Sequence, residues 1–126
     1  MMVAAFSGFS VDDLAKAKEF YTSILGLKLD DEKMGLQFAL PGGGQLFIYD
    51  KPNHTPATYT VLNFIVDDID KTVDEFIAKG VKFEHYNMKE MPQDEKGIAR
   101  GKAANMGPDI AWFTDPAGNI LSVIEK

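Results

Sequence analysis

Val11-Asp12-Asp13-Leu14 returns as Val66-Asp67-Asp68-Ile69, and Pro41 to Lys51 (PGGGQLFIYDK) returns as Pro116 to Lys126 (PAGNILSVIEK). Two copies of one unit are written into 126 residues. Each copy opens on an apolar stretch, Ala4–Val11 and Ala57–Val66, rich in the aromatic and β-branched side chains that suit a pleated surface. Each stretch runs into an aspartate pair, and Asp12 or Asp13, like Asp67 or Asp68, can cap the free amides of a following helix.

The spacing after both pairs is helical. Leu14, Ala17, Phe20, Tyr21, Ile24 and Leu25 recur at intervals of three and four, as do Ile69, Val73, Phe76 and Ile77. Gly26 and Gly80 stand where a left-handed residue closes a helix. Short strands are then expected at Lys28–Glu32, Leu36–Leu40 and Gln45–Asp50, and at Val81–Met88, Ile110–Thr114 and Ile120–Glu125. Pro41–Gly44 and Asp115–Asn119 supply the turns. The pattern is βαβββ, twice: an α+β domain over residues 1–126, made of module 1 (residues 3–51) and module 2 (residues 57–126).

The opening strands match at an offset of 55, the closing strands at 75. Module 2 therefore carries about twenty additional residues near Tyr86–Asp109, to be read either as a functional lid or as a mobile loop. Its Arg100 and Lys102 stand among Glu84, Glu90, Asp94 and Glu95, the pattern of a balanced, solvated loop.

Composition narrows the partners. Thirteen Lys and Arg against nineteen Asp and Glu give a net charge of −6, which disfavours nucleic acid and anionic membrane and suits a neutral or cationic small ligand. No apolar run approaches the ~20 residues of a membrane span, and no basic leader precedes an apolar segment at the N-terminus. The chain has no cysteine, so thiolate chemistry and disulfides are absent, and the cytoplasm is the expected compartment.

The duplicated unit, the Val-Asp-Asp-Leu opening, Phe20-Tyr21 followed by Leu25-Gly26-Leu27, and Asp115-Pro116-Ala117-Gly118-Asn119 together resemble the vicinal oxygen chelate superfamily of glyoxalase I, bleomycin-resistance proteins and extradiol dioxygenases. The resemblance implies a curved eight-stranded mixed sheet, a half-open barrel with helices outside, and often a homodimer. It also implies a divalent metal bound by the first and last strands of each module, at positions that fall here on Phe6, Phe47, Val61 and Ser122. Three of these have no lone pair to offer, and a neutral serine hydroxyl is a poor fourth. No metal and no cofactor are expected. The four are either plain core residues or the lining of an apolar ligand pocket.

Alternation along the strands puts Gly8 beside Phe6, Gln45 and Tyr49 beside Phe47, Asn63 beside Val61, and Ile120 and Ile124 beside Ser122. Gln45, Tyr49, Asn63 and Ser122 are then the polar groups able to orient a ligand, with Trp112 and Met106 as covering surfaces. Phe9, Val11, Leu62, Phe64 and Val66 take the face under the helices.

The expected function is metal-independent binding of a partly apolar, cationic or neutral organic molecule, as in the bleomycin-resistance branch. The alternatives are a lyase, isomerase or dioxygenase using a displaced metal or an acid–base residue such as His85, Glu84 or Tyr49, and a homodimer whose cup is filled by its own side chains. His54, in the loop between modules, reads as an ordinary polar side chain. Gly42-Gly43-Gly44 is a turn rather than a phosphate cradle, since no Lys-Ser or Lys-Thr follows. Ser122 lacks the Gly-x-Ser-x-Gly setting of a nucleophile.

Overall fold

In each aspartate pair the second residue is the cap. Asp13 accepts a hydrogen bond from the Lys16 amide at 3.1 Å and Asp68 one from the Lys71 amide at 3.1 Å, each from an extended backbone. A computed structural model describes all residues, Met1–Lys126. The chain divides into two compact units, Met1–Pro56 and Ala57–Lys126, which coincide with the two copies of the repeat.

The first unit contains β1 (Ser7–Val11), α1 (Leu14–Glu19), β2 (Lys28–Asp31), β3 (Leu36–Ala39) and β4 (Gln45–Asp50). Its four-stranded sheet has the order β1-β4-β3-β2, with β1 parallel to β4 and the other pairs antiparallel. The helix expected to reach Leu25 is α-helical only to Glu19 and continues as a π-helical turn over Phe20–Ile24. There the Leu25 amide reaches back five residues to the Phe20 carbonyl. Under this helix lies one buried face of the sheet, with Val11, Leu36, Phe38, Leu46 and Ile48 against Ala17, Phe20 and Tyr21. Tyr21 is fully buried, its ring 5.2 Å from Phe20 and 5.8 Å from Phe38.

The second unit repeats the plan with β5 (Thr60–Val66), α2 (Ile69–Ala78), β6 (Ala99–Arg100), β7 (Asp109–Thr114) and β8 (Ile120–Glu125), in the order β5-β8-β7-β6. α2 stops where expected. The Gly80 and Val81 amides reach back to Ile77 and Phe76, and Gly80 takes φ 96°, a conformation a side chain would oppose. Phe76, Phe83 and Phe113 form an aromatic cluster with centroids 5.5–6.5 Å apart. No helix is long and apolar enough to cross a membrane.

The edge of the second sheet differs from expectation. Instead of one strand over Val81–Met88, Phe83 makes a single bridge to Phe113, Glu84 donates its amide to the Trp112 carbonyl at 2.8 Å, and the chain then leaves the sheet. The other half of β7 is paired by Ala99–Arg100, brought in from the far end of the insertion. The insertion thus splits one edge strand into two pieces. The cause is compositional: residues 85–96 are polar, with Pro92 lacking a donor, whereas Ile98 and Ala99 are apolar and become fully buried.

The insertion is exposed over residues 102–108 but anchored in its middle, where residues 97–99 are buried. The Gln93 amide donates to the carbonyls of Glu84 and Gly97 and accepts from the Tyr86 amide. Asp94 accepts from the amides of Lys96 and Ile98, and Arg100 makes a two-pronged contact with Asp70 on α2, at 3.0 and 2.7 Å. Lys96 pairs with Asp74 at 2.9 Å. Lys96 and Arg100 thus fasten the segment to α2, and Lys102 ties its far end to Glu125 on β8 at 2.8 Å.

Candidate functional site

The strand parity that buries Leu46 and Ile48 turns Gln45, Phe47 and Tyr49 to the opposite, open face of the first sheet. In register across it, Phe47 lies between Gly8 on β1 and Gln37 on β3. The Phe47 and Tyr49 rings stack at 6.0 Å and 19°. Phe6, one residue before β1, meets Phe47 edge-on at 6.3 Å and is 68% exposed. Gln37 donates its side-chain amide to Gln45 Oε1 at 2.9 Å, which leaves the Gln37 oxygen and the Gln45 nitrogen for a third party.

These residues line a cavity of about 690 Å³ together with Asp31, Lys33, Met34, Leu46 and Asp50. Four expected site residues, Phe6, Gln45, Phe47 and Tyr49, are therefore gathered in one concavity. Asp31, Lys33, Met34, Gln37 and Asp50 were not foreseen. Gln37 could have been found, since it alternates with the core residues Leu36 and Phe38 in the neighbouring strand. Asp31 could not. Lys28 sits beside Ala39 and Leu29 beside Phe38, but Asp31 sits beside Gln37, so Asp30 is an extra residue. This β-bulge reverses the parity and brings Asp31 to the open face. Gly35 is required here as well: a Cβ on it would lie 2.8 Å from Phe47 Cζ and 2.7 Å from the Ile48 carbonyl oxygen.

The remaining predicted residues lie in the second unit. Asn63, Ser122 and Trp112 sit side by side across β5, β8 and β7. Ser122 is fully buried, and its hydroxyl donates to Asn63 Oδ1 at 2.5 Å. Tyr86 packs edge-on against Trp112 at 5.5 Å, and burial, followed by the charge of Glu84, raises its phenol above the ordinary value. Val61 is the extra residue of a second bulge: Thr60 pairs with Ile120 and Leu62 with Leu121. Simple alternation therefore fails between Val61 and Asn63. Met106 is exposed. His85 is exposed just after the Phe83–Phe113 bridge, and Glu84 is half-buried. His54 Nδ1 lies 2.6 Å from Ser10 Oγ, in keeping with an ordinary polar role.

The residues at the four metal positions do not fit a metal ion. Phe6, Phe47 and Val61 present only hydrocarbon, and the Ser122 hydroxyl is already hydrogen-bonded to an amide oxygen. Nowhere in the chain do three or more His, Asp or Glu side chains converge as a metal site.

Comparison with known proteins agrees with this architecture. Residues 4–123 match the family model described as the Glyoxalase/Bleomycin resistance protein/Dioxygenase superfamily. The chain is 28% identical over 128 residues to the uncharacterized protein YraH of Bacillus subtilis, covering 90% of each. Among solved structures it resembles TnmS3, an antibiotic binding protein from Streptomyces sp. CB03234, at 25% identity and a TM-score of 0.65, over 99% of this chain and 98% of that one. It also shares the fold of the fosfomycin resistance protein FosX from Listeria monocytogenes, at 15% identity and a TM-score of 0.71, over 100% and 94% of the two chains. With its two βαβββ modules in place and nearly every residue matched, this chain belongs to the glyoxalase/bleomycin resistance/dioxygenase superfamily.

Proposed function

We propose that the protein binds a small, partly apolar organic molecule on the open face of its first module, without a resident metal ion and without altering the ligand. The observation that carries this reading is the cavity of about 690 Å³ floored by Phe6, Phe47 and Tyr49. Ligand sites are mostly apolar and of this size, with a few polar groups for orientation, here the Gln37–Gln45 pair. Metal independence is supported by the hydrocarbon at Phe6, Phe47 and Val61. The net charge of −6 favours a neutral or cationic ligand over an anion. TnmS3, 25% identical, is itself described as antibiotic-binding.

Large apolar side chains left exposed away from the cavity, among them Tyr59 and Ile65, support a homodimer as part of the same reading. Light scattering behind size exclusion is expected to give twice the chain mass of 13.9 kDa.

A thermal-shift screen of antibiotics and metabolites tests the main reading, because a ligand at a hundred times its dissociation constant stabilises by about 2.7 kcal/mol. Hits are expected to survive chelator treatment and to be lost in Phe47→Ala. One tightly held Ni²⁺, Zn²⁺, Mn²⁺ or Fe²⁺ per chain, or recovery of a hit in chemically changed form, would overturn it.

A further inference from the structure

Three charged side chains line the cavity, Asp31, Asp50 and Lys33, and none of them takes part in an ion pair within 4 Å. Neighbouring acids do find partners: Glu32 holds Lys18 at 2.9 Å and Asp30 faces Lys28 at 3.9 Å. Two carboxylates against one ammonium leave the wall with one excess negative charge. The aromatic row adds to it, because ring faces carry the negative end of a quadrupole and attract cations.

We infer that Asp31 is the specificity-determining residue of this site and selects a planar aromatic ligand bearing a cationic nitrogen. The inference rests on the binding reading above and goes beyond it, by assigning the preference for a cation to one side chain rather than to the acidity of the whole surface. Asp31 reaches the open face only because Asp30 is bulged out of β2, so a local departure from regular pairing puts an unpaired carboxylate beside Gln37 and the aromatic row. Phe47 and Tyr49, stacked within 19° of parallel, make an apolar wall against which a further ring can pack, while the open groups of Gln37 and Gln45 take a neighbouring donor and acceptor. The ligand's ammonium or amidinium then meets Asp31.

Three naphthalenes that share one ring system and carry a cationic, a neutral or an anionic substituent test this: 1-naphthylmethylamine, 1-naphthalenemethanol and 1-naphthylacetate, followed by calorimetry and ligand-observed NMR on the full chain. The amine is expected to bind about five- to tenfold more tightly than the alcohol at low salt, with the carboxylate weakest, a preference that shrinks as salt screens it. Asp31→Asn is expected to remove the difference between amine and alcohol while leaving the alcohol's affinity in place. Asp30→Asn, one residue away, is expected to leave the ratio unchanged. Both sites are exposed, so circular dichroism is expected to match the parent chain. Equal binding of all three probes, or an equal loss in Asp30→Asn and Asp31→Asn, overturns the role of Asp31 and leaves the cavity as a neutral site. If no probe binds, the binding reading fails and this inference with it.

Discussion

The two modules descend from one pattern and differ most on their open faces. In the first, Gly8, Phe47 and Gln37 stand in a row across three strands; at the matching positions of the second stand Asn63, Ser122 and Trp112. Phe47 lines a cavity, whereas Ser122, its counterpart, is fully buried and hydrogen-bonded to Asn63. Their helix-facing sides are alike, each packed with aliphatic and aromatic residues around a capped helix. Duplication has kept what folds a module and let the open face diverge, because the helix face must exclude water in both copies while the other face is free to change.

The edges differ too. The first module's β2 is a continuous strand with one bulge, while the second module's edge is shared between the Phe83 bridge and β6, with an ion-paired segment between them. That segment is held by Asp70, Asp74 and Asp94 against Lys96 and Arg100. Nothing in the first module corresponds to it.

The largest effect is expected from the shared core. Phe38→Ala and Phe113→Ala each remove a fully buried ring and are expected to cost about 3–5 kcal/mol in chemical denaturation. Phe47→Ala, on the open face, is expected to cost far less stability while abolishing ligand binding. A core-sized loss for Phe47→Ala would mean that its ring supports the module rather than the cavity, and the contrast between the two faces would collapse.

A middle-sized effect separates the two turns. Asp115 is 3% exposed and holds the amides of Ala117 and Asn119 and the Asn119 side chain, each at 2.9 Å. The first module's turn, Pro41–Gly44, closes by backbone bonds between Leu40, Gly43 and Gly44. Asp115→Ala is expected to destabilise by about 2–3 kcal/mol, since buried donors lose a charged acceptor, and Pro41→Ala by less than about 0.5 kcal/mol. Equal melting shifts for the two would show that the side-chain network adds nothing beyond the backbone turn.

The smallest effect is electrostatic and confined to the second module. Hydrogen bonds from Arg100 hold the Asp70 carboxyl below its ordinary value of 3.8, against the opposing cost of burial, with Lys96 assisting. A carboxyl lowered on folding contributes stability that is present above that ordinary value and is lost as the pH falls through the folded value. Below about pH 4 the inserted segment is expected to loosen first, with amide protection falling at Ile98 and Ala99 before any change at Leu46 or Ile48. The loss is small because the Asp70 side chain is 48% exposed and screened by solvent. Uniform loss of protection across both modules would show that the ion pairs do not set the segment's stability.

Repetition, capping and periodicity are local signals, so the capping aspartate pairs, Gly80 and the helix-facing side of β1 were legible along the chain, although which aspartate of each pair caps was not. So were Gln45, Phe47 and Tyr49 as neighbours, because alternation holds wherever pairing is regular, whereas Phe6 was set beside them by the family resemblance. Pairing is irregular at Asp30 and Val61, and there the one-residue shift that sends Asp31 to the cavity follows from the partner strand rather than from the residue's own neighbours. The split edge of the second sheet is of the same kind: Ala99 and Arg100 join β7 because Ile98 and Ala99 are buried and Asp70 receives the guanidinium. By itself the sequence determined the duplicated βαβββ plan, its caps and its apolar faces, each written within a turn or two of chain. Only the tertiary structure decided which polar groups reach the cavity and where the insertion docks, because strand register and ion pairing join residues that lie far apart along the chain.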